Sequence, residues 1–304
     1  MRVVSLLASG TEIVCALGAG PTLVGRSHEC DNPAWVRSLP SLSEPAFDIT
    51  TSSLAIDTEV RRRVRAGEPL YIIHSERIQE LQPDLILTQA HCDVCAITPA
   101  DVERTTAGMI PQLVLSAFSL DDIFGSIRRI GRALGMEQEA AALVQREQQR
   151  LNCVREKTKH LRRPSLAMLE WTEPLFAMGN WGPELVEYAN ADLLTGHKGE
   201  YSAAITGEEL CRLDPEYIIV APCGFNLDRT LREQPVLESY PWWDHLQAVR
   251  NGKVFFADGN LYFNRSGMTI SRTAEIIAEI VHGVSFDSAF NGAEWRPAMA
   301  VQQP

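Results

Sequence analysis

The sequence predicts an α/β protein with two Rossmann-like lobes, each built on a mainly parallel central sheet, joined by one long backbone helix. Short β-branched runs alternate with amphipathic segments in both halves, and an almost continuous helical stretch separates the halves. The halves also share a pattern: ERIQELQPDLILT and EELCRLDPEYIIV both read as a short helix, a proline and a buried strand. This repetition indicates two similarly built lobes.

The first half contains alternating strands and helices. Its strand candidates are rich in Val, Ile and Leu, whereas its helix candidates carry apolar residues on one face. The predicted strands cover residues 2–6, 22–25, 84–88 and 112–115, and the predicted helices cover 11–17, 56–66, 75–81 and 99–107. We therefore expect an N-terminal α/β lobe over residues 1–119.

A long helical segment follows. Residues 120–161 read as helix almost throughout, with one interruption at Gly135. Its second half carries an apolar stripe that includes Ala140, Val144 and Leu151. We expect residues 120–163 to form the connecting segment.

The alternation of strands and helices resumes after this segment. The predicted strands cover residues 165–170, 217–221 and 254–257, and the predicted helices cover 183–189, 207–213, 227–237 and 269–282. The last twenty residues lack periodicity and are expected to form an irregular tail on the surface. The C-terminal lobe is therefore predicted over residues 164–304.

Charge and hydropathy exclude several classes of partner. The 304 residues carry a formal net charge of -11, which disfavours nucleic acid and anionic membranes. The apolar start of the chain is broken by Ser9, Gly10, Thr11 and Glu12, so it reads neither as a signal peptide nor as a membrane span. We expect a cytoplasmic protein with reduced cysteines, or a periplasmic one only if a signal peptide was trimmed.

Four cysteines follow predicted strands, at the sheet edge where α/β proteins bind ligands. They are Cys30, Cys92, Cys95 and Cys223. The Cys-x2-Cys pair offers two thiolates to one metal, Cys30 adds a third, and Cys223 from the other lobe completes or guards the site. These four are candidate ligands of zinc or of an iron-sulfur cluster. The alternative is that they are small buried side chains.

The other cysteines and the flanking histidines are assigned simpler roles. Cys15, Cys153 and Cys211 lie on predicted helices and are expected to pack in the core. His28 and His91 flank the candidate ligands, either as ligands and hydrogen-bond donors or as surface residues in turns.

Aromatic and charged residues near other strand ends indicate a ligand cleft. Aromatic rings there stack on a planar macrocycle or heterocycle, and an arginine pairs with an anionic group. The candidates are Glu170, Trp171, Trp181, Phe263 and Arg265. Packing in the core is the alternative for the aromatic side chains. Because the chain lacks the motifs Gly-x-Ser-x-Gly and His-Glu-x-x-His and a Gly-rich phosphate loop, binding is favoured over catalysis.

Several motifs, in order, carry a resemblance to a family. VSLLASGTEI lies at residues 4–13, LVGR at 23–26 and LQPDLIL at 81–87, and a long helix joins the paired lobes. The chain resembles the helical-backbone (class III) solute-binding proteins of ABC transporters, including their vitamin B12-binding members. Segments such as HEC, CDVCA, PCGF and DGNLYFNR resemble a cytosolic branch that is labelled cobalamin-binding.

The resemblance implies a ligand, a partner and two docking residues. It implies a corrinoid (cobalamin) or another metal chelate bound in the cleft between the lobes, and an ABC permease as partner, although a permease is unexpected without a signal peptide. By motif, Glu76 and Glu208 are the carboxylates that dock on a permease; helix capping is the alternative for both. A second reading from the cysteines is a cytosolic metalloprotein or enzyme with a zinc or iron-sulfur centre.

Overall fold

The structure, a computed structural model, describes residues 1–90, 97–106, 108–286 and 293–299. The chain forms two compact units. Unit 1 comprises Met1–Arg146 with Ser266–Met268, and unit 2 comprises Glu147–Arg265 with Thr269–Pro304. Both have α/β architecture, which confirms the predicted fold class.

Unit 1 is built on four parallel strands. The strands of this unit are β1 (Val3–Ser5), β2 (Leu23–Arg26), β3 (Ser43–Pro45), β4 (Tyr71–Ile73), β5 (Leu85–Gln89) and β6 (Gln112–Leu115). The central sheet has the order β2–β1–β5–β6, whereas β3 and β4 form a separate antiparallel pair. Because the four central strands run the same way, their carboxyl ends share one edge.

Helices cover this sheet and bury its apolar side chains. They are α1 (Ala8–Ala16), α2 (Ser53–Ala66), α3 (Ser75–Leu81), α4 (Pro99–Thr106) and α5 (Leu120–Leu134). The core beneath α3 and α4 contains Val4, Ile78, Ile86 and Val102, all fully buried. Burial of such side chains contributes about 1.5–3 kcal/mol each, which fixes the helices on the strands.

The predicted interruption at Gly135 separates two helices. The residue has a φ of +69° and caps the C-terminus of α5, which begins with a capping box between Ser119 and Asp122. The next helix, α6 (Glu137–Thr158), has 22 residues and contains the boundary between the units.

Unit 2 is built on a larger, mixed sheet. Its strands are β7 (Ser165–Thr172), β8 (Leu175–Ala177), β9 (Asp192–Leu193), β10 (Ala203–Ala204), β11 (Tyr217–Val220), β12 (Val254–Ala257) and β13 (Trp295–Pro297). They follow the order β10–β8–β7–β11–β12–β13, with β9 also paired to β7. The adjacent strands β7, β11 and β12 are parallel, so they end at one edge.

Unit 2 has six helices among its described residues. They are α7 (Gly182–Tyr188), α8 (Gly207–Leu213), α9 (Leu227–Leu231), α10 (Gln234–Glu238), α11 (Gln247–Arg250) and α12 (Ile270–His282). The single helix expected over residues 227–237 is therefore two short ones, the second with Pro235 in its first turn. The expected irregular tail was also wrong in part, because β13 pairs antiparallel with β12.

Across the described ranges, no helix is both long enough and apolar enough to span a membrane.

Candidate functional site

The carboxyl ends of three neighbouring strands bring the unit 2 candidates together. Glu170 and Trp171 lie at the end of β7, Cys223 follows β11 and Asp258 follows β12. The parallel register pairs Val220 with Leu169, and the amide of Cys223 donates a hydrogen bond to the carbonyl of Glu170 at 3.0 Å. We call this region the unit 2 edge. It is the edge at which open α/β sheets bind ligands.

An aromatic and cationic cluster, here named the Trp171 platform, lies at this edge. It consists of Trp171, Phe225 and Arg229. The rings of Trp171 and Phe225 have centroids 5.1 Å apart, and the Arg229 guanidinium carbon lies 4.0 Å from the Phe225 centroid. Arg229 also forms an ion pair with the buried Glu233. The two rings are tilted by 47° to each other and Phe225 is only 6% exposed, so the platform presents the half-buried Trp171 ring beside a charge that is already neutralised.

Local sequence explains how the platform is held. Asn226 caps α9, since its Oδ1 accepts a hydrogen bond from the amide of Arg229 at 2.9 Å. Arg229 lies in the first turn of this helix, one turn before Glu233, so the two side chains meet at i, i+4 spacing. Thr172 donates to the same carboxylate, which links α9 and α10 to the end of β7. The Trp171 platform is thus attached both to β7 and to the helical segment formed by α9 and α10.

A π-helical segment, Gly259–Phe263, forms the third part of the edge; we call it the π-turn. Asp258 caps it by accepting from the amide of Leu261 at 2.7 Å, and the amide of Asn260 donates to the carbonyl of Phe225 at 2.9 Å. Gly259 has no room for a side chain, because a Cβ there would lie 2.1 Å from the carbonyl oxygen of Pro222. The π-turn is therefore packed against the loop that carries Cys223. Single π-turns within proteins are frequent at functional sites.

The five predicted ligand contacts differ in their exposure. Glu170 and Trp171 are half-buried. Trp181, Phe263 and Arg265 are only 5%, 1% and 5% exposed, and Arg265 donates to the Oδ1 of Asn260 at 3.1 Å. Their role as ligand contacts stays a prediction; of the five, Glu170 and Trp171 are the more exposed.

Phe225, Arg229 and Asn260 did not figure among the sequence candidates. A signal for two of them exists in the segment PCGFNLDR, which follows the buried strand β11 and combines an aromatic ring, a cap residue and an arginine. The contact of Arg229 with Phe225 depends on where α9 begins. The sequence analysis predicted a helix from residue 227 but did not identify Asn226 as its cap.

The predicted metal ligands are only partly described. Cys92, Cys95 and His91 lie outside the described residues. Cys30 is fully buried in unit 1, where its Sγ lies 3.0 Å from the hydroxyl of Thr11 and 3.1 Å from that of Ser27. Burial raises the pKa of the Cys30 thiol, so the protonated form is favoured. Cys223 is half-buried in unit 2.

Within the ranges that the structure describes, no group of three or more His, Cys, Asp or Glu side chains is arranged to hold a metal ion. The four-cysteine metal site stays a prediction.

His28 lies just after β2 and is held in one orientation. Its Nδ1 lies 2.8 Å from the hydroxyl of Ser43, and its ring centroid lies 5.4 Å from that of Tyr71. Burial, with a smaller effect of the Arg26 charge, lowers the pKa of His28 to about 4. The imidazole is therefore neutral at pH 7.

The three cysteines assigned to the core do not share one environment. Cys15 and Cys211 are half-buried, and burial raises the pKa of Cys15 to about 11. Cys153 is exposed, so its assignment to the core was wrong. The buried positions of α6 nearest to Cys153 are Leu151 and Val154, and Cys153 falls on the side of the helix that faces solvent.

The two predicted docking carboxylates, Glu76 and Glu208, are exposed in the first turns of α3 and α8. The N-cap of α8 is Thr206, whose hydroxyl accepts from the amide of Glu209 at 3.1 Å. Capping of α8 therefore involves the residues on either side of Glu208.

Comparisons with known proteins agree with this architecture. A family model described as "Periplasmic binding protein" matches residues 3–261. A Bacillus subtilis (strain 168) relative named "Uncharacterized ABC transporter substrate-binding lipoprotein YvrC" is 24% identical over 296 residues, covering 94% of this chain and 81% of that protein.

Two solved structures share the fold. A periplasmic haem-binding protein from Pseudomonas aeruginosa superposes with a TM-score of 0.72 at 20% identity, covering 94% of each chain. The periplasmic vitamin B12-binding protein BtuF of Vibrio cholerae superposes with a TM-score of 0.65 at 18% identity, covering 92% of this chain and 95% of BtuF.

These findings support the predicted family but not the predicted location or one of the predicted metal centres. They provide no support for a cytoplasmic location or an iron-sulfur centre, since the curated relative is named a lipoprotein and both structures are named periplasmic. The motif resemblance is confirmed by the family match over most of the chain. The chain belongs to the periplasmic binding protein family, among the substrate-binding proteins of ABC transporters.

Proposed function

We propose that this protein binds a metal-chelate macrocycle, with a corrinoid as the leading candidate and haem as the second, at the unit 2 edge. The observation that carries the proposal is the Trp171 platform, in which the half-buried Trp171 ring, supported by Phe225 and a neutralised arginine, suits contact with a large planar ligand. Structures of the same fold are named for haem and for vitamin B12. Both ligands are metal chelates with a broad apolar face.

Charge favours a corrinoid over haem. The segments 170–174, 221–229 and 258–265 carry four carboxylates and two guanidinium groups in the sequence. Both guanidiniums already have protein contacts: Arg229 with Glu233, and Arg265 with Asn260. An edge with this excess of negative charge repels the two propionates of haem, whereas the peripheral amides of a corrinoid carry no charge.

Other predicted residues enter the proposal as possible contacts of the chelated metal. Cys223 lies at the unit 2 edge and is half-buried, so it is the described thiol of that unit best suited to this role. Cys30 is less suited, because its thiol is buried and its pKa is raised. A metal ion held by Cys92 and Cys95 together with Cys30 or Cys223 stays a separate prediction.

The Trp171 platform is tested by substitution. Trp171→Ala removes one ring of the pair, and we expect the affinity for the bound macrocycle to fall roughly 10-fold or more, since loss of a well-packed aromatic contact costs about 2 kcal/mol. The measurement is a visible-absorbance titration with hydroxocobalamin, dicyanocobinamide and haem.

Trp35→Ala is the matched control, because Trp35 is 47% exposed and belongs to unit 1, outside the unit 2 edge. Equal affinities of the two variants would remove the platform from the proposed site.

We further propose that Glu76 and Glu208 dock this protein on an ABC permease. Both carboxylates are exposed, as docking through salt bridges to arginines requires. Replacing both with Lys should abolish complex formation with the permease while the ligand affinity stays within about twofold, because both lie outside the unit 2 edge. Glu80→Lys, at an exposed position on α3, is the control, and pull-down with the reconstituted permease is the measurement. A complex that survives both charge reversals would contradict this assignment.

A further inference from the structure

Glu294 links the C-terminal strand to the π-turn through both its backbone and its side chain. The residue directly precedes β13 and is 8% exposed. Its carbonyl accepts a hydrogen bond from the amide of Asp258, the cap of the π-turn, at 2.9 Å. The charge of its carboxylate also acts on Tyr262 within the π-turn, where it raises the pKa of the phenol. A residue near the end of the chain therefore holds the cap of the π-turn.

A buried arginine fixes the position of that carboxylate. Arg272 on α12 donates through Nε to the Oε1 of Glu294 at 2.9 Å, and its Nη2 pairs with the other carboxylate oxygen. The same guanidinium contacts Glu279 at 2.7 Å and Glu275 at 3.2 Å. Such a bidentate pair between buried groups has a fixed geometry, so Glu294 has little freedom to move relative to α12.

The π-turn has several other attachments, and they come from the sheet and α12. Thr269 donates to the carbonyl of Leu261 at 2.9 Å, and Thr273 donates to that of Tyr262 at 2.7 Å. Asn264 donates to the carbonyl of Ala221 at 2.9 Å. These contacts fix the backbone of the π-turn, whereas Glu294 holds Asp258, the residue that caps it.

The environment of Tyr262 agrees with this arrangement. Burial, the charge of Glu294 and the hydrogen bond to its carboxylate together raise the pKa of Tyr262 to about 12. The phenol therefore stays protonated at neutral pH.

We infer that Glu294 is a positioning residue for the ligand edge of unit 2: held by Arg272, it orients the π-turn through its hydrogen bond with Asp258. This inference rests on the proposed function, because it concerns the same edge. It assigns a role in ligand binding to a segment near the end of the chain. The ligand itself is not expected to touch Glu294, so the effect acts through the π-turn.

The test compares two substitutions in the same arginine cluster. Glu294→Gln keeps the size and the backbone hydrogen bond of the residue but removes its charge, and Arg272 remains paired with Glu279 and Glu275. Glu279→Gln removes a different carboxylate from Arg272 and leaves the contacts to the π-turn in place. A purely structural role predicts the same effect of both changes on the unit 2 edge.

Hydrogen exchange of backbone amides 259–264 is measured first, on protein without ligand. We expect faster exchange in Glu294→Gln and unchanged exchange in Glu279→Gln. Equal rates in Glu294→Gln and the unsubstituted protein would overturn the inference, whether or not a macrocycle binds.

Affinity for dicyanocobinamide is measured second, by absorbance titration. We expect Glu294→Gln to weaken binding roughly 3- to 10-fold, since loss of its charged pair with Arg272 loosens the position of the Asp258 cap. Glu279→Gln should stay within about twofold. Equal losses in the Glu279 and Glu294 variants would overturn the inference. Absence of binding in the unsubstituted protein would instead remove the proposed ligand and leave the exchange result to decide the role of Glu294.

Discussion

Two polar side chains that follow β2, His28 and Cys30, are kept uncharged by burial. The pKa of the imidazole falls to about 4, and that of the thiol rises. Both shifts favour the neutral form, as expected when desolvation exceeds the effect of nearby charges. The loop after β2 therefore provides neutral hydrogen-bonding groups at pH 7.

The shift of His28 predicts a pH dependence of stability. The folded protein has a pKa of about 4 at this residue, below the ordinary value of 6.5, so between these values the unfolded chain binds more protons than the folded one. The contribution of His28 to the free energy of unfolding is therefore fully present above pH 6.5 and decreases as the pH falls towards 4. The loss amounts to at most about 3 kcal/mol.

Denaturant unfolding at several pH values tests this expectation. His28→Asn retains a hydrogen-bonding group near Ser43 but cannot titrate, so its stability should fall less steeply between pH 6.5 and 4. His160→Gln, at an exposed position on the surface, controls for the loss of one histidine. A His28→Asn protein that keeps the full slope would show that other groups cause the acid sensitivity.

At the residue scale, the sequence predicted locations better than contacts. Trp171, Cys223 and the loop after β12 were expected at strand ends, and the structure has them there. The platform also depends on the contact of Arg229 with Phe225, which follows from the start of α9 at its Asn226 cap. Cys153 was misplaced because it was assigned to the core as a cysteine on a helix, although the apolar stripe of that helix, which includes Leu151, does not contain it.

At the scale of elements, Gly259 is required by the close approach of the π-turn to the loop after β11. A Cβ at this position would lie 2.1 Å from the carbonyl oxygen of Pro222 and 2.7 Å from that of Ala221. Both neighbours are backbone atoms of a segment that leaves the central sheet, so neither moves cheaply. The constraint connects two of the three parts of the unit 2 edge.

Gly259→Ala should therefore displace the π-turn. We expect a loss of about 2–4 kcal/mol in the free energy of unfolding and a weaker macrocycle affinity, because backbone has to shift to relieve the clash. Gly125→Ala is the matched control: it lies on α5, and an added Cβ there meets no atom within 4 Å. Better helix propensity should make that variant equal to the unsubstituted protein or about 1 kcal/mol more stable.

Denaturant unfolding measures the two free energies, and absorbance titration measures the affinity. A Gly259→Ala variant as stable as Gly125→Ala would show that the π-turn has space that the structure does not indicate.

Long, periodic elements were predictable, and short strands were not. The interruption at Gly135 and the helix that ends at His282 follow from glycine and apolar spacing. The strands β3, β4, β8, β9, β10 and β13 have only two or three residues each. Their pairing depends on partners distant in the chain, as in the register of Phe256 with Arg296, so no local period reveals them.

At the scale of the whole molecule, the family was predictable because motif order and the repeat of a helix, a proline and a strand survive at low identity. The ligand was less predictable, because members of one fold bind different molecules and the binding residues lie on loops. Charge narrows the choice. A chain with a net charge of -11, and a unit 2 edge with more carboxylates than guanidiniums, favours uncharged or cationic ligands.

The most direct test of the account is a comparison of three ligands on the unmodified protein by visible absorbance and calorimetry. We predict that dicyanocobinamide or hydroxocobalamin binds with a Kd of about 1 µM or below, and that haem binds at least about 10-fold more weakly because of its two propionates. Tighter binding of haem would contradict the charge argument, but it would still agree with a macrocycle site at the unit 2 edge. No absorbance change and no heat with any of the three would contradict the central claim that the unit 2 edge binds a metal-chelate macrocycle.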